Sequence, residues 1–161
     1  MIVNAKINNH DVEVREGTTI LEAAHRLHIT IPTLCKHQDL PATAACGICI
    51  VKVRNTGRML RACSTPLENG MDIITHDAEL QSIRRTVLEL ILSNHPDDCL
   101  QCGRNGNCEL QKLAADFGIR EMPFPKFLRD IPKDESTKSL TMDPQKCILC
   151  GRCVKIGRAH V

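Results

Sequence analysis

The chain opens on a strict alternation of apolar and polar positions. Val3, Ala5 and Ile7 fall on one side of an extended backbone, and Ile2, Asn4 and Lys6 on the other. A period of two predicts a strand with one face buried. Asn8-Asn9-His10-Asp11 is turn chemistry, and Val12 to Arg15 alternates again, which together predict a β-hairpin. Gly17-Thr18-Thr19 then offers a helix N-cap. Ile20, Leu21, Ala24 and Leu27 follow as a helical stripe, with Pro32 expected to end the element. Cys49–Val53, Arg58–Cys63 and Met71–Thr75 predict three further strands. At Asp77 the period changes. A helix is predicted over Asp77–Asn94 with Asp77 as its N-cap and Leu80, Ile83, Val87, Leu90 and Ile91 on one face. A second helix is predicted from about Cys108 to Phe117, carrying Leu110, Leu113 and Ala114 inward and stopped by Gly118. Three prolines, Pro123, Pro125 and Pro132, make residues 123–138 a loop or linker. Leu140–Met142 is expected to be a short strand before the Asp143-Pro144 turn.

Composition narrows what such elements can build. The 161 residues suit one ordinary domain or two small ones. Trp and Tyr are absent and Phe occurs only at 117, 124 and 127, so Leu, Ile and Val must fill the core. Small cores of that kind usually need a metal or covalent staple. The net charge is +2, with Lys and Arg spread along the chain and almost no aromatic rings to stack on bases, which argues against nucleic-acid binding. The N-terminus lacks the basic stretch and apolar run of a signal peptide. The longest apolar run, Thr86–Ser93, is interrupted by Glu89, so no membrane insertion is expected and a cytoplasmic location is. In that reducing compartment ten cysteines are poor disulfide candidates and, unliganded, an oxidation hazard, so metal ligation is the leading expectation. The chain has no Rossmann phosphate loop and no catalytic triad or carboxylate pair. No catalytic residue is therefore assigned.

The cysteines fall into three groups. Cys35-x10-Cys46-x2-Cys49-x13-Cys63 offers four thiolates, two for each iron of a [2Fe-2S] cluster. Ala44, Ala45 and Gly47 around Cys46 let backbone N–H groups turn toward anionic sulfur. A zinc site would more often show two Cys-x2-Cys pairs, and only one is present here. In the second group, His95-x3-Cys99-x2-Cys102-x5-Cys108 places four candidate ligands for a [4Fe-4S] cluster within fourteen residues. The first stands at the end of one predicted helix and the last at the start of the next. His10, His25, His28, His37, His76 and His160 have no such company, whereas three cysteines leave one cubane iron for the His95 imidazole. The third group, Cys147-x2-Cys150-x2-Cys153, is a bacterial-ferredoxin run whose expected fourth cysteine is replaced by Gly157. It is an incomplete third site: an unfilled remnant, a [3Fe-4S] centre, or a second [4Fe-4S] centre completed by a partner subunit.

Residues Gly17–Ala24, Ile31–Cys35, Cys46–Cys49 and Ala62-Cys63 resemble the plant-type ferredoxin at the N-terminus of the large iron–sulfur subunit of respiratory complex I. Leu88–His95, Asp98-Cys99, Arg104–Lys112 and Asp116–Arg120 are similar to the cluster module of complex I and [FeFe]-hydrogenases that uses one histidine and three cysteines. The likeness is greatest to the catalytic subunit of multimeric NAD(P)-linked [FeFe]-hydrogenases. The resemblance implies an α+β chain: a [2Fe-2S] ferredoxin (β-grasp) domain over 1–76, a helical [4Fe-4S] domain over 77–122 with His95 as a ligand, and a linker with a truncated ferredoxin-like segment over 123–161. It covers residues 1 to about 156, only the N-terminal part of the family protein, without the H-cluster domain. Gly157-Arg158-Ala159-His160 is similar to the extreme C-terminus of those hydrogenases. The implied function is electron relay between a flavoprotein NAD(P)H-oxidising subunit and a hydrogenase or related redox partner, alongside other iron–sulfur subunits. The alternatives are a nonfunctional hydrogenase fragment and a zinc-binding interaction module.

Overall fold

The computed structural model describes residues 1–158; the expectations attached to Ala159 and His160 fall outside them. The chain divides into two compact units. One holds residues 1–84 with the stretch from Cys150 on, and the other holds residues 85–149.

The first unit is built on a five-stranded sheet. β1 (Ile2–Ile7), β2 (His10–Arg15), β3 (Ile50–Val53), β4 (Met59–Arg61) and β5 (Asp72–Ile74) lie in the order β2-β1-β5-β3-β4. β1 and β5 run parallel, and the other pairs are antiparallel. The hairpin is tighter than its turn-forming residues suggested. Asn8 and Asn9, at φ 49° and 69°, make a two-residue turn, and His10 already pairs with Ile7. Alternation works as expected: Val3, Ala5, Ile7, Val12 and Val14 are buried, and join Val51 and Ile73 against one helix, α1 (Ile20–Arg26). Cys49 and Cys63 belong to this same buried cluster.

α1 begins with a reciprocal cap. Thr19 Oγ1 accepts from Glu22 N at 3.2 Å, and Glu22 Oε2 accepts from Thr19 N at 2.9 Å. It ends before Pro32 can act. His28 takes the left-handed conformation at φ 56°, while Ile29 N donates to Ala24 O and His28 N to His25 O. That pair of bonds satisfies the last carbonyls without a proline.

α2 (Ala78–Ser93) begins in the first unit and continues into the second. Asp77 caps it, accepting from Leu80 N at 2.7 Å. The expected apolar stripe is displaced: Leu90 is 47% exposed, whereas Leu80, Arg84, Leu88 and Glu89 are buried. The inward row is Leu80–Arg84–Leu88 at i, i+4, i+8, and an arginine at its centre disguises the period. In the second unit, α3 (Glu109–Asp116) is capped by Cys108. It closes on Gly118 at φ 62°, with Ile119 N donating to Ala114 O. Residues 123–133 form a loop. The strand expected at Leu140–Met142 is a single bridge, Asp134 paired with Met142, in an exposed segment with no neighbouring pair to extend it. α4 (Arg152–Arg158) closes the described chain. Among the described residues no helix is long and apolar enough to cross a membrane.

Candidate metal centres

The sheet delivers the first set of cysteines to one end. Cys49 immediately precedes β3 and Cys63 follows β4. The pairing of Ile50 with Arg61 continues into a bond from Ala62 N to Cys49 O at 3.0 Å. Cys35 and Cys46 come in on the long α1–β3 connection. Two positive-φ residues bend it beside the cysteines: Ala44 at φ 54° and Gly47 at φ 75°. A Cβ at Gly47 would meet nothing within 4 Å, so the torsion, rather than room, calls for glycine there. Arg61 Nη1 fixes the bend by donating to Ala44 O at 2.6 Å.

The four sulfurs sort into two interacting couples. Cys63 raises the Cys49 thiol, and Cys35 adds to the rise of Cys46. The couples are neighbours, since the Cys46 charge also acts on Cys49. The bond from Cys49 lowers Cys63 to about 6, helped by Ser64 and the Arg61 charge, and raises Cys49. Burial raises Cys46. Cys46 and Cys49 thus hold their protons more tightly than a free thiol, and metal entry there must expel them. Two adjacent couples of soft sulfur donors, three of the four buried, match a two-iron core that takes two thiolates per iron.

Two arginines that the spacing of cysteines did not single out bear on this site. Arg84 is 2% exposed, and its Nη2 donates to Ile50 O at 2.5 Å and Thr75 O at 2.7 Å. Arg152 Nη2 donates to Leu34 O at 2.7 Å and Lys36 O at 3.0 Å, the carbonyls on either side of Cys35. Its neighbour Gly151, at φ 73°, lies so close to Thr43 that a Cβ would stand 2.9 Å from Thr43 Cγ2. Neither arginine has a sequence signal of the kind that spacing gives to cysteines.

The second set lies in the α2–α3 connection. His95 follows the end of α2, its N–H donating to Leu92 O at 3.0 Å. His95 Nδ1 stands 3.0 Å from Pro96 O, which makes Nδ1 the protonated nitrogen and leaves the Nε2 lone pair for a metal. Cys99 begins a 3-10 turn, Cys102 closes it, and Cys108 is the α3 N-cap. Three contacts brace this loop. Lys126 Nζ donates to Leu92 O at 2.9 Å, His95 O at 2.8 Å and Asp97 Oδ1 at 2.5 Å. Lys146 Nζ pairs with Asp98 Oδ2 at 2.6 Å, which lowers Asp98 below the usual carboxylate range. Gln111 accepts from Gly106 N and donates to Asn105 Oδ1, both at 3.0 Å. Among the described residues no three His, Cys, Asp or Glu side chains converge on one ion-sized point. A cubane asks instead for one donor per corner, which a loop held at both helix ends can supply. In the third set, Cys147 ends the 3-10 turn Pro144–Lys146, Cys150 precedes Gly151, and Cys153 is exposed on α4.

Comparison with known proteins finds iron–sulfur binding regions over these stretches of the chain. Residues 2–78 match the 2Fe-2S iron–sulfur cluster binding domain, and residues 84–123 match the NADH-ubiquinone oxidoreductase-G iron–sulfur binding region. A solved structure of NAD+-reducing [NiFe]-hydrogenase in the H2-reduced state superposes at a TM-score of 0.92 with 31% identity. The match covers 98% of this chain and 67% of that one. The chain belongs to the family of iron–sulfur subunits shared by NAD(P)-linked hydrogenases and NADH-quinone oxidoreductases. Within this family, NADP-reducing hydrogenase subunit HndD of Solidesulfovibrio fructosivorans is 42% identical over 91% of the chain and 26% of its own length. NADPH-Fe(3+) oxidoreductase subunit alpha of Geobacter sulfurreducens is 37% identical over 99% of the chain and 19% of its own length. The NADH-ubiquinone oxidoreductase 75 kDa subunit of Reclinomonas americana is 32% identical over 97% and 23%. The chain therefore spans about a fifth to a quarter of the length of these curated relatives. It is an iron–sulfur electron-transfer module with a [2Fe-2S]-binding domain and a [4Fe-4S]-binding region.

Proposed function

We propose that Cys35, Cys46, Cys49 and Cys63 hold the [2Fe-2S] cluster and that His95, Cys99, Cys102 and Cys108 hold the [4Fe-4S] cluster. The observation that carries this is the β3–β4 ladder, which runs into buried Cys49 and Cys63 at one end of the sheet, with buried Cys35 and half-buried Cys46 on the connection entering β3. The domains are then a plant-type ferredoxin domain over 1–76, a helical cluster domain over 77–122, and a linker with a ferredoxin-like segment over 123–161. Bound there, the clusters would take up and release single electrons at potentials set by ligand type, N–H bonds and burial. The chain's own residues do the rest. The β3–β4 pair fixes the spacing of Cys49 and Cys63. Arg61 and Arg152 hold the backbone around Cys46 and Cys35. Lys126 holds the turn that presents His95.

In this reading the module relays electrons between a flavoprotein NAD(P)H-oxidising subunit and a hydrogenase or related redox partner in the cytoplasm. Relatives named as subunits of NADP-reducing hydrogenase and NADH-quinone oxidoreductase support it. The third set, Cys147, Cys150 and Cys153, has three thiolates and Gly157 at the expected fourth position; it would be an unfilled remnant, a [3Fe-4S] centre, or a [4Fe-4S] centre whose fourth ligand comes from elsewhere. Anaerobic reconstitution tests the assignment. About six irons with matching acid-labile sulfide and two distinct EPR signals after dithionite are expected. A colourless protein holding zinc and no sulfide would overturn it in favour of a zinc-binding module.

A further inference from the structure

A guanidinium that is 2% exposed is costly to bury, and a buried charge is normally matched by an opposite one. Arg84 is not matched by a carboxylate. Its Nη2 is used on two neutral carbonyls, those of Ile50 and Thr75. Its Nε is buried with no hydrogen-bond partner among the described residues. No ion pair to Arg84 occurs among the described residues, and Asp77 acts on it only through space. Besides Asp77, the group whose negative charge would act on it is the Cys49 sulfur, one of the four in the first site, once a bound metal takes its proton. Ile50, whose carbonyl the guanidinium holds, is the residue next to Cys49 and the first of β3. The other carbonyl belongs to Thr75, just after β5, so the side chain joins the ends of two adjacent strands.

We infer that Arg84 is a positioning residue and buried counter-charge for the first cluster, holding the Ile50 carbonyl next to Cys49 and favouring the more negative, reduced state of the centre. The inference rests on the assignment of Cys35, Cys46, Cys49 and Cys63 as [2Fe-2S] ligands. Its physical content is simple. An iron–sulfur centre gains one negative charge on reduction, and a fixed positive charge in a water-poor setting stabilises that state more than it would in water. Removing the charge must make reduction harder, and Lys in its place must largely preserve it. Arg84 opens the second of the two matched regions, residues 84–123.

The test uses the full chain, reconstituted anaerobically as wild type, R84K, R84Q and R84M, with the [2Fe-2S] EPR signal titrated against ambient potential. In R84Q and R84M the ratio of reduced to oxidised centre at fixed potential is expected to fall about tenfold, a 59 mV shift for one electron, with R84K close to wild type. Should the neutral variants fail to retain the cluster while R84K retains it, the need for positive charge beside Cys49 is upheld. The inference is overturned if the neutral variants titrate with wild-type midpoints, if R84K shifts as far as they do, or if all three variants lose the cluster alike, which is the pattern of a packing role. A wild-type chain with no [2Fe-2S] signal would instead bring down the ligand assignment on which the inference stands.

Discussion

At the scale of single residues, His95 is the most exposed part of the ligand assignment to experiment. Its Nδ1 faces Pro96 O at 3.0 Å, so only Nε2 is left to bind iron. His95→Cys should retain a cubane with a lower potential, because a thiolate adds negative charge where imidazole adds none. His95→Ala should lose or degrade it. Iron content together with the EPR signal of the second centre checks both, and an unchanged spectrum in His95→Ala removes His95 from the ligands. Asp77 offers a separate test, of stability rather than ligation. The Leu80 N–H and the Lys52 ammonium both hold its carboxyl below the ordinary range. A lowered folded-state value means that stability is present above the ordinary carboxylate pKa and is lost as pH falls through the lowered one. Asp77→Asn keeps a competent N-cap but drops the ion pair. We expect Tm to fall by about 2 °C at pH 7, a modest change because the pair is partly solvated. The gap between variant and wild type should stay flat down to about pH 5 and close below about pH 4. Circular dichroism at several pH values measures it, and a gap that widens on acidification would contradict the argument.

At the scale of elements, what could be read in the sequence was the chemistry of repeating patterns. The alternation in Val3–Ile7 and Val12–Val14 gave two strands because one face of each meets the core. Asp77 and Gly118 marked helix ends because capping needs particular side chains or torsions. The cysteine groups were visible because spacing is written in the sequence itself, and the proposed ligands lie within those groups. Legibility failed where long side chains reach backbone carbonyls, since such bonds leave no periodic trace. Arg84 broke the apolar stripe of α2 from inside. Pro32 drew attention away from His28, whose left-handed backbone had already ended α1. The bracing of the His95 turn by Lys126 was equally hidden, since it joins residues 29 to 34 positions apart through carbonyls and one carboxylate. Lys126→Met removes all three bonds and keeps the aliphatic stem. The second centre should then assemble more slowly and lose iron several-fold faster to a chelator, while the first is unaffected. Chelator kinetics followed by visible absorbance would show this, and equal loss from both centres would mean general destabilisation instead.

At the scale of the whole molecule, the question is how many centres this chain can hold by itself. The two proposed sets have four donors each, and the third has three cysteines with Gly157 where the expected fourth would stand. A cubane with an unprotected iron corner loses that iron readily, and Cys153 is exposed on α4, where solvent and oxidants reach it. Yet the stretch around these cysteines is not idle. Arg152 grips the carbonyls flanking Cys35, and Gly151 lies against Thr43 in the same connection. The run Cys150–Cys153 therefore braces the connection that carries Cys35 through its backbone and its arginine, independently of its sulfurs. That separates two roles that share one short segment. Replacing Cys147, Cys150 and Cys153 together by Ser should leave the iron count of the isolated chain at about six and both EPR signals unchanged. Arg152→Met should broaden or shift the signal of the first centre while iron at the second stays constant. Iron and sulfide analysis paired with EPR distinguishes the two variants. A fall of three or four irons in the triple serine variant would mean that the third set is filled without a partner.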